Sequence, residues 1–154
     1  MKFDYAIIAV VGIVAVVFIV AIISPPDQLF YDLIIKGNSY EIYHIETTPA
    51  EWQQGLMNQT ITNQTMMLFI FPEDNQNPFW MMNMQGPIDL IWFDNHGKVV
   101  GMIPGAPPCH DARICTLYSP ESPAIFVLET WPGFIKANNL SVGMQVLLQE
   151  KSQF

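Results

Sequence analysis

The sequence predicts a mainly β domain, an antiparallel sandwich or barrel with one short helix, carried behind a single N-terminal transmembrane helix. Three observations lead there. Short apolar runs follow one another along the second half of the chain, separated by Pro, Gly, Asn and Asp, the punctuation of an all-β domain. One helix start is written clearly, at Thr48-Pro49 with Glu51 following. Ahead of both lies an unbroken run of eighteen uncharged residues, Ala6 to Ile23.

That run sets the organisation of the chain. At about 1.5 Å of rise per residue it reaches roughly 27 Å as a helix, close to the hydrocarbon thickness of a bilayer. Thirteen of the eighteen are Ile, Val or Phe, whose summed insertion energies favour the membrane by several kcal/mol. A cleaved signal peptide would have a basic start and small residues before the cut. Here the run ends Ala21-Ile22-Ile23-Ser24-Pro25-Pro26, which favours an uncleaved anchor. Lys2 marks the inner side and the first cation beyond the run is Lys36, so the amino terminus is expected in the cytoplasm and the domain outside. The expected order is a cytoplasmic start at 1–5, a membrane span at 6–23, a linker into the domain at 24–38, an extracytoplasmic β domain at 39–150 and a tail at 151–154.

Within the domain, Ser39 to Glu46 mixes β-branched, aromatic and charged residues and reads as a half-buried strand. The Thr48 capping box opens a helix expected to run to Met57, with Trp52 and Leu56 one turn apart on its apolar side. Strands are expected at 66–71 (MMLFIF), 79–84 (FWMMNM), 90–93 (LIWF), 99–103 (VVGMI), 124–128 (AIFVL) and 145–148 (QVLL). Asn95-His96-Gly97 is the natural hairpin turn between two of them.

Charge excludes some functions. From Ser24 onward there are 13 acidic residues (fourteen less Asp4) against five basic ones (six less Lys2), so the domain repels nucleic acid and no nucleic-acid partner is expected. Three sequons, at Asn58, Asn63 and Asn139, are candidate glycosylation sites in an extracytoplasmic setting. Cys109 and Cys115 close a short loop and are expected as a disulfide worth about 2 kcal/mol. The alternative, a zinc site using both thiolates with His110 and Asp111, suffers because adjacent residues have difficulty reaching one ion.

Several motifs occur in a characteristic order: Gly55-Leu56-Met57; Met67-Leu68-Phe69-Ile70-Phe71-Pro72; Phe79-Trp80-Met81 with Asn83; Pro87-Ile88-Asp89-Leu90-Ile91 with Phe93-Asp94; Pro108-Cys109 with Cys115 and Tyr118; and Val127-Leu128-Glu129 with Gly133. Over about residues 40 to 150 the chain resembles the family called domain of unknown function 192. The resemblance implies a compact jelly-roll-like β fold, found in prokaryotes behind a signal or anchor, and no established activity. It also implies cations at three places occupied here by Gln54, Gln59 and Met82. This member is therefore expected to have lost affinity for an anionic ligand that such cations would hold.

The functional readings then follow from residue chemistry. No catalytic residue is assigned: the sequence has no nucleophile elbow, no paired-His metalloprotease motif and no phosphate loop. The first reading is a non-catalytic accessory or interaction subunit of a membrane protein complex, with lipid contacts through 6–23, a neighbouring membrane protein as partner and no cofactor. It rests on the anchor, the 13% charged content and the abundant aromatics and Met. The alternative is an extracytoplasmic small-ligand or copper-binding domain. For copper the candidates are Met82 and Met84, which an extended strand would place on one face with Trp80. The third is a glycan-active enzyme using two of Asp89, Asp94 and Glu129.

Overall fold

The computed structural model describes residues 30–151. The expected start at 1–5, the span at 6–23, the first part of the linker at 24–29 and the tail residues 152–154 lie outside the described residues.

The described chain forms two β-sheets with little helix. Strands are β1 (Phe30–Ile35), β2 (Asn38–Ile42), β3 (His44–Glu46), β4 (Met66–Asn75), β5 (Ile88–Phe93), β6 (Val99–Ala106), β7 (Ala124–Thr130) and β8 (Leu147–Lys151). The helices are α1 (Pro49–Gln54) and α2 (Phe134–Ala137). One sheet has the order β2-β1-β8, the other β3-β4-β7-β5-β6. All pairs are antiparallel except β3 with β4, which is parallel, a departure from the wholly antiparallel expectation. No helix among the described residues is long and apolar enough to cross a membrane.

The large sheet is apolar on both faces, which is why β5 and β7 read as nearly continuous hydrophobic runs. Its inner face, with Met66, Leu68, Ile91, Phe93 and Leu128, packs against Leu33, Ile35 and Ile42 of the small sheet and against Phe134 and Ile135 of α2. Its outer face, with Met67, Phe69, Phe71, Leu90, Trp92 and Val127, is covered by Leu56 from the turn after α1 and by Met81 and Met84. Burial of such side chains at about 25 cal/mol per Å² is the main stabilising term.

Four features depart from the sequence reading. Residues 30–35, expected as linker, form the central strand of the small sheet. The expected strand 39–46 breaks at Tyr43: β2 stays in the small sheet while β3 crosses to the large one, and Tyr43 is left 55% exposed at the crossing. Residues 79–84 make only isolated bridges, Phe79 with Tyr118 and Met82 with Cys109. Finally, α2 is a second helix; it starts at Gly133 in a left-handed conformation (φ 94°) without a capping side chain, so no sequence cap announced it.

Other elements match closely. Thr48 caps α1 with both halves of the box formed, although the helix ends at Gln54 rather than Met57. The Asn95-His96-Gly97 turn closes the β5–β6 hairpin, with Asp94 Oδ1 accepting from the N–H groups of His96 and Lys98, both at 2.9 Å. Gly97 is required there: its φ is 78°, and a Cβ would lie 2.5 Å from the Val146 carbonyl oxygen.

Candidate functional site

The outer face of the large sheet buries one carboxyl among its apolar side chains, that of Glu129. Pairing of Leu90 with Glu129 and of Met67 with Glu129 places it among outward-facing residues. Above it runs the turn that ends α1. The cap builds this roof: the Glu51 carboxylate accepts from the Thr47 and Thr48 N–H groups at 2.8 Å each, and its charge is stabilised by them, holding its pKa below the usual value. The helix so fixed presents Trp52, whose indole N–H donates to the Glu46 carbonyl at 3.0 Å. It ends at Gly55 (φ 44°), where a Cβ would meet Phe69 Cζ at 3.3 Å and Glu129 Oε2 at 3.4 Å.

Between this turn and residues 77–80 lies a cleft of about 280 Å³. Trp52, Phe71, Phe79 and Trp80 form aromatic walls, with Gln53, Gln54 and Asn77 among the lining side chains and Glu129 completing the site. The walls are braced by Trp52 on Phe71 (ring centroids 4.7 Å apart) and Phe79 edge-on to Phe69 (5.1 Å). Trp80, 39% exposed, is the open side.

Glu129 is 4% exposed, and its Oε2 has no hydrogen-bond partner. Burial pushes its pKa up to about 8; the nearby Leu56 backbone N–H offsets this in part, and the nearby Glu46 charge adds to it. Glu46 is itself raised, by its own burial and then by Glu51. At neutral pH the base of the cleft therefore holds a mostly protonated carboxyl, one oxygen of which is buried beneath the Gly55 turn without a partner. A buried orphan oxygen of this kind is costly unless something serves it.

The other sequence candidates are placed differently. Asp89 is fully buried on the opposite face of the sheet, accepting from the N–H groups of Gly105 (2.8 Å), Gly133 (3.1 Å) and Ile135 (2.8 Å). It ties β6 to the start of α2. Asp94 is occupied in its turn, so Asp89, Asp94 and Glu129 do not converge as an acid and base pair. Cys109 and Cys115 form a disulfide, which leaves neither thiolate for a zinc ion. Met84 is buried under the outer face and Met82 is half-buried with its sulfur 3.8 Å from Cys115 Sγ; Met81 rather than Met82 joins Met84 in the core, so the expected shared face of Trp80, Met82 and Met84 is not formed.

Among the motif residues, Gly55, Leu56, Met57, Phe79 and Trp80 surround the cleft with Glu129, whereas Asn83 holds a left-handed turn (φ 54°) and Pro87 precedes β5. Of the three positions where cations were implied, Gln54 lines the cleft, the Gln59 amide donates to the Gly55 carbonyl at 3.1 Å, and Met82 sits at the disulfide. Asn58, Asn63 and Asn139 are all exposed. The sequence reading named Glu129 as a motif residue and as one of three carboxylates of a glycan-active pair, but not as a lone buried acid, although its place inside the apolar run AIFVLET was a signal for burial.

Comparison with known proteins agrees with this fold. A crystal structure of a candidate transcription regulator from Sinorhizobium meliloti 1021 superposes with a TM-score of 0.67 at 24% identity, over 82% of this chain and 97% of that one. A protein of unknown function from Novosphingobium aromaticivorans superposes with a TM-score of 0.65 at 20% identity, over 78% and 83% of the two chains. No curated protein matches the sequence. The family described as DUF192, Uncharacterized ACR, matches residues 35–148. That match takes in the large sheet, the cleft and its carboxyl, and the chain belongs to the DUF192 family.

Proposed function

We propose that this protein is an extracytoplasmic binding domain for a small organic ligand, tethered to the membrane through residues 6–23. The observation that carries the reading is Glu129 Oε2, buried and unpartnered in an aromatic-walled cleft, the combination of apolar surface and one aimed polar group that small-molecule sites use. The tether is supported by the eighteen-residue apolar run, and an oxidising compartment by the Cys109–Cys115 bridge. The test is a fragment titration of the full chain in detergent, followed by amide shifts. Ligands of the cleft should move Gly55 and Leu56, and Trp80→Ala, which removes the open wall without entering the core, should weaken them about tenfold. Shifts confined to other surfaces would contradict the reading.

A second reading, an accessory subunit of a membrane protein complex, is supported by Ile114 and Leu117. They are 78% and 62% exposed on either side of Cys115, an apolar pair fixed by the disulfide loop. Co-purification from native membranes tests it: replacing both by Ser should release a partner that travels with the wild-type protein.

A further inference from the structure

We infer that the occupant of the cleft is a small organic cation, whose ammonium N–H donates to Glu129 Oε2 while its carbon skeleton lies against Trp52, Phe71, Phe79 and Trp80. The inference rests on the reading of the cleft as a ligand site and names the chemical class that fits it. The residues lining the cleft include no Lys, Arg or His to balance Glu129. Beside it stands a second carboxyl, Glu46, and the whole chain carries a net charge of −8, so the field at the cleft attracts cations and repels anions. Indole and phenyl faces add attraction for a positive group, which a neutral ligand does not receive. Once the carboxyl gives up its proton, Oε2 is an unpartnered acceptor, and an ammonium brings both the donor and the balancing charge.

Protons must balance. Glu129 is mostly protonated at neutral pH in the empty cleft because burial raises its pKa to about 8. An ammonium ligand ionises it, and the carboxyl proton passes to the solvent as the ion pair forms. The charged and titratable groups of the surrounding elements are His44 and Glu46 on β3 and Glu51 on α1; Glu51 is already bonded to Thr47 and Thr48. Asp89 on β5 faces the other side of the sheet, and Glu73 and Asp74 are exposed at the far end of β4.

The experiment is calorimetry on the full chain in detergent, using benzylammonium, its neutral analogue benzyl alcohol, and glucose, in buffers of different ionisation enthalpy. Benzylammonium should bind saturably, release close to one proton at pH 7, and bind about tenfold more tightly for each unit that the pH is raised toward 8. Glu129→Gln should abolish the proton release and most of the affinity. Trp80→Ala, with its fold checked by circular dichroism, should weaken binding while leaving the proton release intact. Equal binding of benzyl alcohol or glucose with no proton released overturns the cation inference and leaves the cleft a ligand site. Binding by none of the three probes, with Gly55 and Leu56 amides unmoved, overturns both.

Discussion

Asp89 and Glu129 lie on neighbouring strands, both buried, and their surroundings give them opposite characters. Three backbone N–H groups meet Asp89, so its carboxyl serves as a structural tie; Glu129 keeps one oxygen unserved. Asp89→Asn exchanges an acceptor oxygen for a donor facing those N–H groups and should lower unfolding stability by about 2–3 kcal/mol, read from the urea midpoint. Glu129→Gln should do the reverse at alkaline pH. Between the ordinary glutamate value near 4.5 and about 8, the folded state keeps a proton that the unfolded chain has released. Stability therefore falls as pH rises through that window, by up to about 1.4 kcal/mol per pH unit. The Gln variant should lose this slope and be the more stable protein at pH 8; an unchanged slope would show that Glu129 is not its source. The sequence marks both as carboxyls within apolar runs, which signals burial but does not tell the two roles apart. Their difference lies in Gly133 and Ile135, which the chain brings to one and not to the other.

Elements written by local rules were legible, and those made by tertiary partners were not. Thr48-Pro49-Glu51 specified α1 because capping is satisfied within four residues, and Asn95-His96-Gly97 specified its hairpin for the same reason. The β2–β3 break at Tyr43 depends on two sheets competing for one extended segment. Residues 79–84 look like a strand but find only single bridges, because Cys109 and Tyr118 are the partners within reach. The cap has a functional consequence, since α1 sets Trp52 and Gly55 over the cleft. Thr48→Ala should cost about 1 kcal/mol and also weaken cleft ligands, both measurable in one denaturation and titration series. Reducing the Cys109–Cys115 bridge should cost about 2 kcal/mol by the loop-entropy argument while leaving the amide shifts of Gly55 and Leu56 in place, because the bridge borders the outer core rather than the cleft.

At the scale of the molecule, an acidic, largely β domain of the DUF192 family, preceded in sequence by an apolar run, combines a disulfide and an aromatic cleft with one unpartnered carboxyl oxygen. The class of fold followed from the spacing of short apolar runs. The cleft did not, because its two sides, residues 49–57 and 77–80, meet only once β4 and β7 have placed Phe71 and Glu129 beneath them. If the leader stays in the lipid with the domain outside, protease added to intact cells should remove the large fragment; its full protection would contradict that placement. The central claim, that Glu129 is the unserved acid of a cation site, is tested most directly by following its side-chain carboxyl carbon by NMR through a pH titration, with and without benzylammonium. Titration near pH 8 in the free protein, moved well below 7 by the ligand, is the expected result. Titration in the ordinary carboxylate range, unmoved by the ligand, would contradict it.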